Sequence, residues 1–141
     1  MKRFIFLISI IITLCSCERN EIDINNTRIV GEWKLVRIEQ DVMNPSGIKK
    51  STTDYSSKNV IYNFQKNNLL KVSGGENFGY SNGEYPYEFK KDYLSGSPSA
   101  EETKINLVII NDSKWVFNFS DSQITLSKAY VDGPTLILEK K

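Results

Sequence analysis

Histidine is absent from the 141-residue chain, and cysteine occurs twice. Without histidine no Ser-His-Asp or Cys-His nucleophile can be assembled, and the commonest zinc and copper ligand is missing. An excess of either charge is also lacking: 18 Lys and Arg face 17 Asp and Glu, a balance of +1. Such a chain has no basic field for a phosphate backbone, so nucleic acid is not expected as a partner. Its basic pairs, Lys49-Lys50, Lys90-Lys91 and Lys140-Lys141, read as solvated edges. No apolar run reaches the roughly 20 residues of a membrane-spanning helix. Glycine forms no phosphate-cradling motif, since Gly74-Gly75 is only a pair with no helical pattern behind it. Among the acids, Glu101-Glu102 lies in a polar loop. Asp112, Asp121 and Asp132 sit beside turn residues, where aspartate bonds nearby backbone. The chain is therefore not expected to be an enzyme, nor to hold a metal or cofactor.

What is present begins with MKRFIFLISIIITLCSC. Lys2 and Arg3 make a positive start, and Phe4 to Leu14 an apolar run of secretory-signal length. Leu14-Cys15-Ser16-Cys17 resembles the bacterial lipobox. The resemblance implies cleavage before Cys17, a diacylglycerol on its thiol and acylation of the new amino terminus with palmitate-type chains. Two or three chains would hold the protein on the bilayer, where a single one binds reversibly. The expected organisation is a signal peptide over 1–16, a lipidated start and flexible spacer over 17–27, and a folded domain over 28–141. The expected location is the outer membrane, on its periplasmic or exterior face. Loss of Lys2 and Arg3 takes the balance from +1 to −1. With Cys15 discarded and Cys17 acylated, no disulfide and no reactive thiol remain.

Beyond the spacer the pattern is strand after strand. Arg28 to Glu39 places Ile29, Gly31, Trp33 and Leu35 on one face. Gly31 inside a strand marks a bend or a close approach by another backbone. Val60, Tyr62 and Phe64 alternate with Ile61, Asn63 and Gln65, Lys66-Asn67-Asn68 turns the chain, and Leu69 to Ser73 returns it. Tyr85, Tyr87 and Phe89 alternate with Glu84, Pro86 and Glu88, Pro86 marking an edge or a bulge. Lys90-Lys91-Asp92 reads as a turn and Tyr93-Leu94 as a short strand. Lys104 to Ile110, Lys114 to Phe119, Gln123 to Tyr130 and Thr135 to Lys140 follow, separated by turn compositions. About eight such strands in a meander remove their edges by closing, so the expected fold is an all-β, antiparallel up-and-down barrel. On this strand count the long connections 40–58, 74–83 and 95–103 share one end. The tight turns 66–68, 90–91, 111–113 and 132–134 share the other. A connection as long as 40–58 is expected to be functional or mobile.

Gly31-Glu32-Trp33 matches the G-x-W of lipocalins. Its extension Gly31 to Leu35, and the ending WVFNFSDSQITLSKAYVDGPTLILEK, are similar to lipocalin-like lipoproteins of Bacteroides-type bacteria. The resemblance implies a barrel plugged at its narrow end by Trp33, with the connection 40–58 as its lid. In lipocalins a late arginine packs on that tryptophan. Here the last arginine is Arg37, and Lys128 is the candidate substitute. Candidates for the inner wall are Trp33, Tyr62, Phe64, Tyr85, Tyr87, Phe89, Trp115, Phe117 and Phe119. Such rings suit a small apolar or amphipathic ligand, and equally a barrel filled by its own side chains. A second reading is a protein inhibitor of papain-like bacterial cysteine proteases, by likeness of architecture to the staphostatins. Its contact loop would be Ser95 to Ser99 or Asn82-Gly83. A third is a subunit of a surface complex.

Overall fold

In a computed structural model of the chain, residues 28–75, 79–95, 99, 101–128 and 133–141 are described. The leader, Cys17, the spacer, Gly96 to Pro98 and Tyr130 lie outside them. Nine strands follow one another: β1 (Gly31–Asn44), β2 (Gly47–Asp54), β3 (Ile61–Phe64), β4 (Leu69–Ser73), β5 (Gly83–Asp92), β6 (Ile105–Ile110), β7 (Ser113–Ser120), β8 (Gln123–Ser127) and β9 (Thr135–Lys140). All neighbours are antiparallel, and β9 returns to pair with β1, from Trp33 opposite Lys140 to Glu39 opposite Thr135. Eight strands thus close into an up-and-down barrel, and β2 is the ninth, outside the closure.

Alternation explains the closure. Tyr62, Phe64, Leu70, Val72, Val108, Ile110, Trp115, Phe117, Ile124, Leu126, Leu136 and Leu138 are buried and form one cluster with Trp33 and Leu35. Most of their strand neighbours are open or half-open to water, while Ile61, Leu107 and Ile137 are buried as well. A register shift between Leu35 and Arg37 resets the alternation of β1, so that Ile38 is again buried. Pro86 does not sit on an edge. It is the last residue of β5 paired with β4, opposite Leu69, and Tyr87 opposite Ile110 begins the pairing with β6. A missing donor is harmless at this changeover, and the Pro86 carbonyl accepts from the Asn111 N–H at 3.0 Å.

Three expectations from the sequence are corrected. Residues 40–58 are not a lid loop: β1 continues to Asn44 and β2 returns beside it to Asp54. Lys90 to Asp92 is strand, paired with Leu107, Asn106 and Ile105, and Tyr93-Leu94 forms none. Lys90 bridges Glu88 and Asp92, its neighbours on the outer face, which is why the stretch reads as a polar turn. One strand fewer changes the parity of every later connection. The end that receives β1 and β4, here called upper, carries the β1–β2 hairpin and the connections 74–82, 111–112 and 128–134. The lower end carries 65–68, 93–104 and 121–122. The long connection 93–104 is thus at the end opposite to the one expected. At its start the Tyr93 carbonyl accepts from outward-facing Lys114 of β7 at 3.4 Å.

Candidate functional site

At the lower end Trp33 is buried, and its indole N–H donates to the Ile29 carbonyl at 2.6 Å. Phe119 meets its ring edge-on, with centroids 6.3 Å apart. The cation over the indole is Lys140 of the last strand, with Nζ 4.4 Å from the ring centroid and donating to the Val30 carbonyl at 3.0 Å. Lys128, the substitute expected from the sequence, is elsewhere: its Nζ stands 5.8 Å from the Trp115 ring at the upper end. Gly31 has φ +126°, and a Cβ there would collide with the Lys140 ammonium. The close approach marked by this glycine is therefore that of a side chain, not of a backbone. Arg28 stacks 5.2 Å from the Phe119 ring, so the chain enters the barrel at this end.

The upper end is closed by an aromatic network. Tyr80, from the connection between β4 and β5, points into the mouth. Its hydroxyl donates to the Ile110 carbonyl at 3.1 Å and accepts from the Trp115 indole N–H at 3.0 Å. Its backbone N–H donates to the Tyr62 hydroxyl at 3.2 Å. The rings of Tyr85 and Trp115 lie 4.9 and 6.0 Å from that of Tyr80. Burial pushes the Tyr62 phenol up from 10.0 to about 12, and raises Tyr80 and Tyr87 as well. No described buried side-chain polar atom lacks a hydrogen-bond partner.

All nine wall candidates belong to this interior. Trp33, Tyr62, Phe64, Tyr87, Trp115 and Phe117 are buried; Tyr85, Phe89 and Phe119 are partly so. Phe64 meets Tyr87, and Phe89 meets Phe117, each pair edge-on with centroids 5.1 Å apart. Tyr62, Phe64, Leu70, Val108, Ile110, Ile124, Leu126, Leu136 and Leu138 have no accessible surface. A water-sized void beside them would expose some. Among the described residues these nine side chains leave no water-sized space beside them, as in small barrels filled by their own side chains.

Sequence reasoning missed the β1–β2 arm. Gln40 to Asn44 and Gly47 to Ser51 extend past the pairing with β9, which ends at Glu39. Residues of both strands here are largely exposed. Met43 and Ile48 face each other across the ladder, and Val42 faces Lys49. Val42, Met43 and Ile48 are 46, 81 and 70% exposed, the large apolar side chains most open to water among the described residues. A groove of about 380 Å³ runs beside Val42, lined also by Asn44, Lys49, Lys50, Ser51 and Thr52; Met43 and Ile48 lie on the other face of the ribbon. Glu39 bridges Arg37 at 3.0 Å and Lys50 at 3.2 Å, which leaves Lys49 the basic group without an ion pair on the arm.

Of the loops weighed for protease contact, Asn82-Gly83 is engaged within the barrel rim: Asn82 Oδ1 accepts from the Gly75 N–H at 2.8 Å, and Gly83 pairs with Val72. At the other, the Ser95 N–H and hydroxyl donate to Glu102, holding that carboxyl below its usual range. Among the described residues no cluster of His, Cys, Asp and Glu could hold a metal ion, and no helix is long and apolar enough to cross a membrane. No family model, curated protein or solved structure matches the chain.

Proposed function

We propose that this protein is a membrane-anchored, non-enzymatic binding module of the lipocalin-like lipoprotein kind, which engages a protein partner through its upper end. Cys17 carries the lipid in this reading, and the spacer over 17–27 leads to Arg28 at the lower end. The anchored face and the arm are then at opposite ends of the barrel. One observation carries the choice of surface: Val42, Met43 and Ile48, open to water, all lie on the β1–β2 arm, which projects from the closed sheet. The other large apolar side chains among the described residues are buried or partly buried, and these three add nothing to the stability of the fold. Their burial against a partner removes apolar area from water, worth about 1.5–3 kcal/mol for each side chain fully covered. Lys49 at the rim favours an acidic border on the partner. The inner side chains without accessible surface support a recognition surface on the outside, and so favour a protein over a ligand held deep in the barrel.

Two variants test the reading. Cys17→Ala should release the protein from membranes to the aqueous phase, and retention would contradict the anchor. Met43→Ser with Ile48→Ser should abolish capture of the partner from native membranes while leaving urea unfolding unchanged. Equal capture by the double variant would contradict the surface.

A further inference from the structure

The residue that closes the upper mouth belongs to none of the strands. Tyr80 is carried in by the β4–β5 connection and fills a place with its own chemistry. The Trp115 indole offers one N–H there, and the Ile110 carbonyl one acceptor, at 3.0 and 3.1 Å from the same phenol oxygen. A hydroxyl is the group that can both accept the first and donate to the second. Around that pair stand the rings of Tyr85 and Trp115, the second tilted 54° to the ring that fills the space. Withdrawal of Tyr80 would leave a donor and an acceptor facing an aromatic-walled opening, the arrangement of a small-molecule site with few polar groups.

We propose that the upper mouth is a binding socket for a planar aromatic ring bearing a hydroxyl, a phenol-type ligand, and that Tyr80 occupies it in the free protein.

Two features make the occupant exchangeable. Tyr80 remains partly exposed, so its departure does not require opening the barrel. Its anchorage at this site is two side-chain hydrogen bonds and one backbone bond to Tyr62, each of which an incoming phenol or water can replace. The cost is a reduced apparent affinity, because ligand binds only the fraction of molecules in which Tyr80 is out. The socket is separate from the arm, and its failure would leave the reading of the arm untouched.

The test uses 4-methylphenol against the folded protein, followed by the two indole N–H resonances in ¹⁵N–¹H spectra. In the wild type, Trp115 should shift saturably at millimolar ligand and Trp33, at the other end, should not. Tyr80→Ala should bind at least about tenfold tighter, the occupant having been removed. Toluene should bind Tyr80→Ala at least about tenfold more weakly than 4-methylphenol, since it leaves the donor and acceptor unpaired. Absence of a Trp115 response in the wild type up to the solubility limit overturns the proposal, whether or not Tyr80→Ala folds. Equal binding of toluene and 4-methylphenol, or equal response of Trp33, also overturns it. N-acetyltyrosinamide identifies the source of such a ring. Binding equal to 4-methylphenol assigns a tyrosine of a polypeptide, and weaker binding a free phenol.

Discussion

Replacing Lys140 with methionine isolates the charge above Trp33. The stem and its cover over the ring stay, while the ammonium is lost. In the structure that ammonium is 4.4 Å from the ring centroid and 3.0 Å from the Val30 carbonyl. Lys140 is exposed, so a cation over an indole contributes about 0.5–1 kcal/mol rather than the value of a desolvated pair. The hydrogen bond to Val30 adds a comparable amount, discounted for competition with water. Together the loss is about 1–2 kcal/mol, a large share of the stability of a domain of this size. Urea unfolding followed by tryptophan fluorescence should show a lower midpoint with an unchanged slope. A cycle with Trp33→Phe should give a coupling of about 0.5–1 kcal/mol. Gly31→Ala should reproduce the loss and exceed it, since its methyl group displaces the ammonium and its φ of +126° strains any side chain. A K140M variant that unfolds at the wild-type midpoint would refute the reasoning and leave Trp33 held by packing alone.

Alkali should destabilise the barrel through Tyr62. Tyr62 titrates at about 12 when folded against 10.0 in the open chain, so its contribution is complete below pH 10 and lost as pH rises through 12. The loss is about 3 kcal/mol, and Tyr62→Phe should flatten that part of a stability–pH curve measured by urea titration. Gly74→Ala should cost about 2–4 kcal/mol, because φ is +72° and the new methyl would be driven into the Asn59 carbonyl. Gly47→Ala, at φ +115° with open space around it, should cost about 1 kcal/mol, and thermal unfolding would separate the two. Met43→Ser with Ile48→Ser should change stability by less than about 0.5 kcal/mol, the exposed arm contributing nothing to the core.

What could be read from the sequence was whatever alternates against a buried face. Tyr62 with Phe64, Leu70 with Val72, Ile124 with Leu126, and Leu136 with Leu138 announce their strands because each has a dry side and a wet side. The arm has no dry side: Gly47 to Asp54 is exposed throughout, so its strand leaves no period in the sequence and reads as loop. Lys90 to Asp92 was hidden for a related reason, its charges pairing along the outer face. The partner of Trp33 was out of reach because nothing local joins position 33 to position 140; Gly31 was the one trace, and it signalled closeness without naming the neighbour. Tyr80 had a readable signal, since with Phe78 it supplies the aromatic residues of the otherwise small and polar run GGENFGYSNG. A ring in such a connection needs somewhere dry to go.

The most direct test of a protein-binding upper end is a photo-crosslinking amino acid placed at position 43 and, separately, at position 122 in the lower turn, each in the tethered protein in its native membrane. The account predicts a discrete protein adduct from position 43 and none from position 122. Adducts from 122 alone, or no protein adduct from 43, would contradict it.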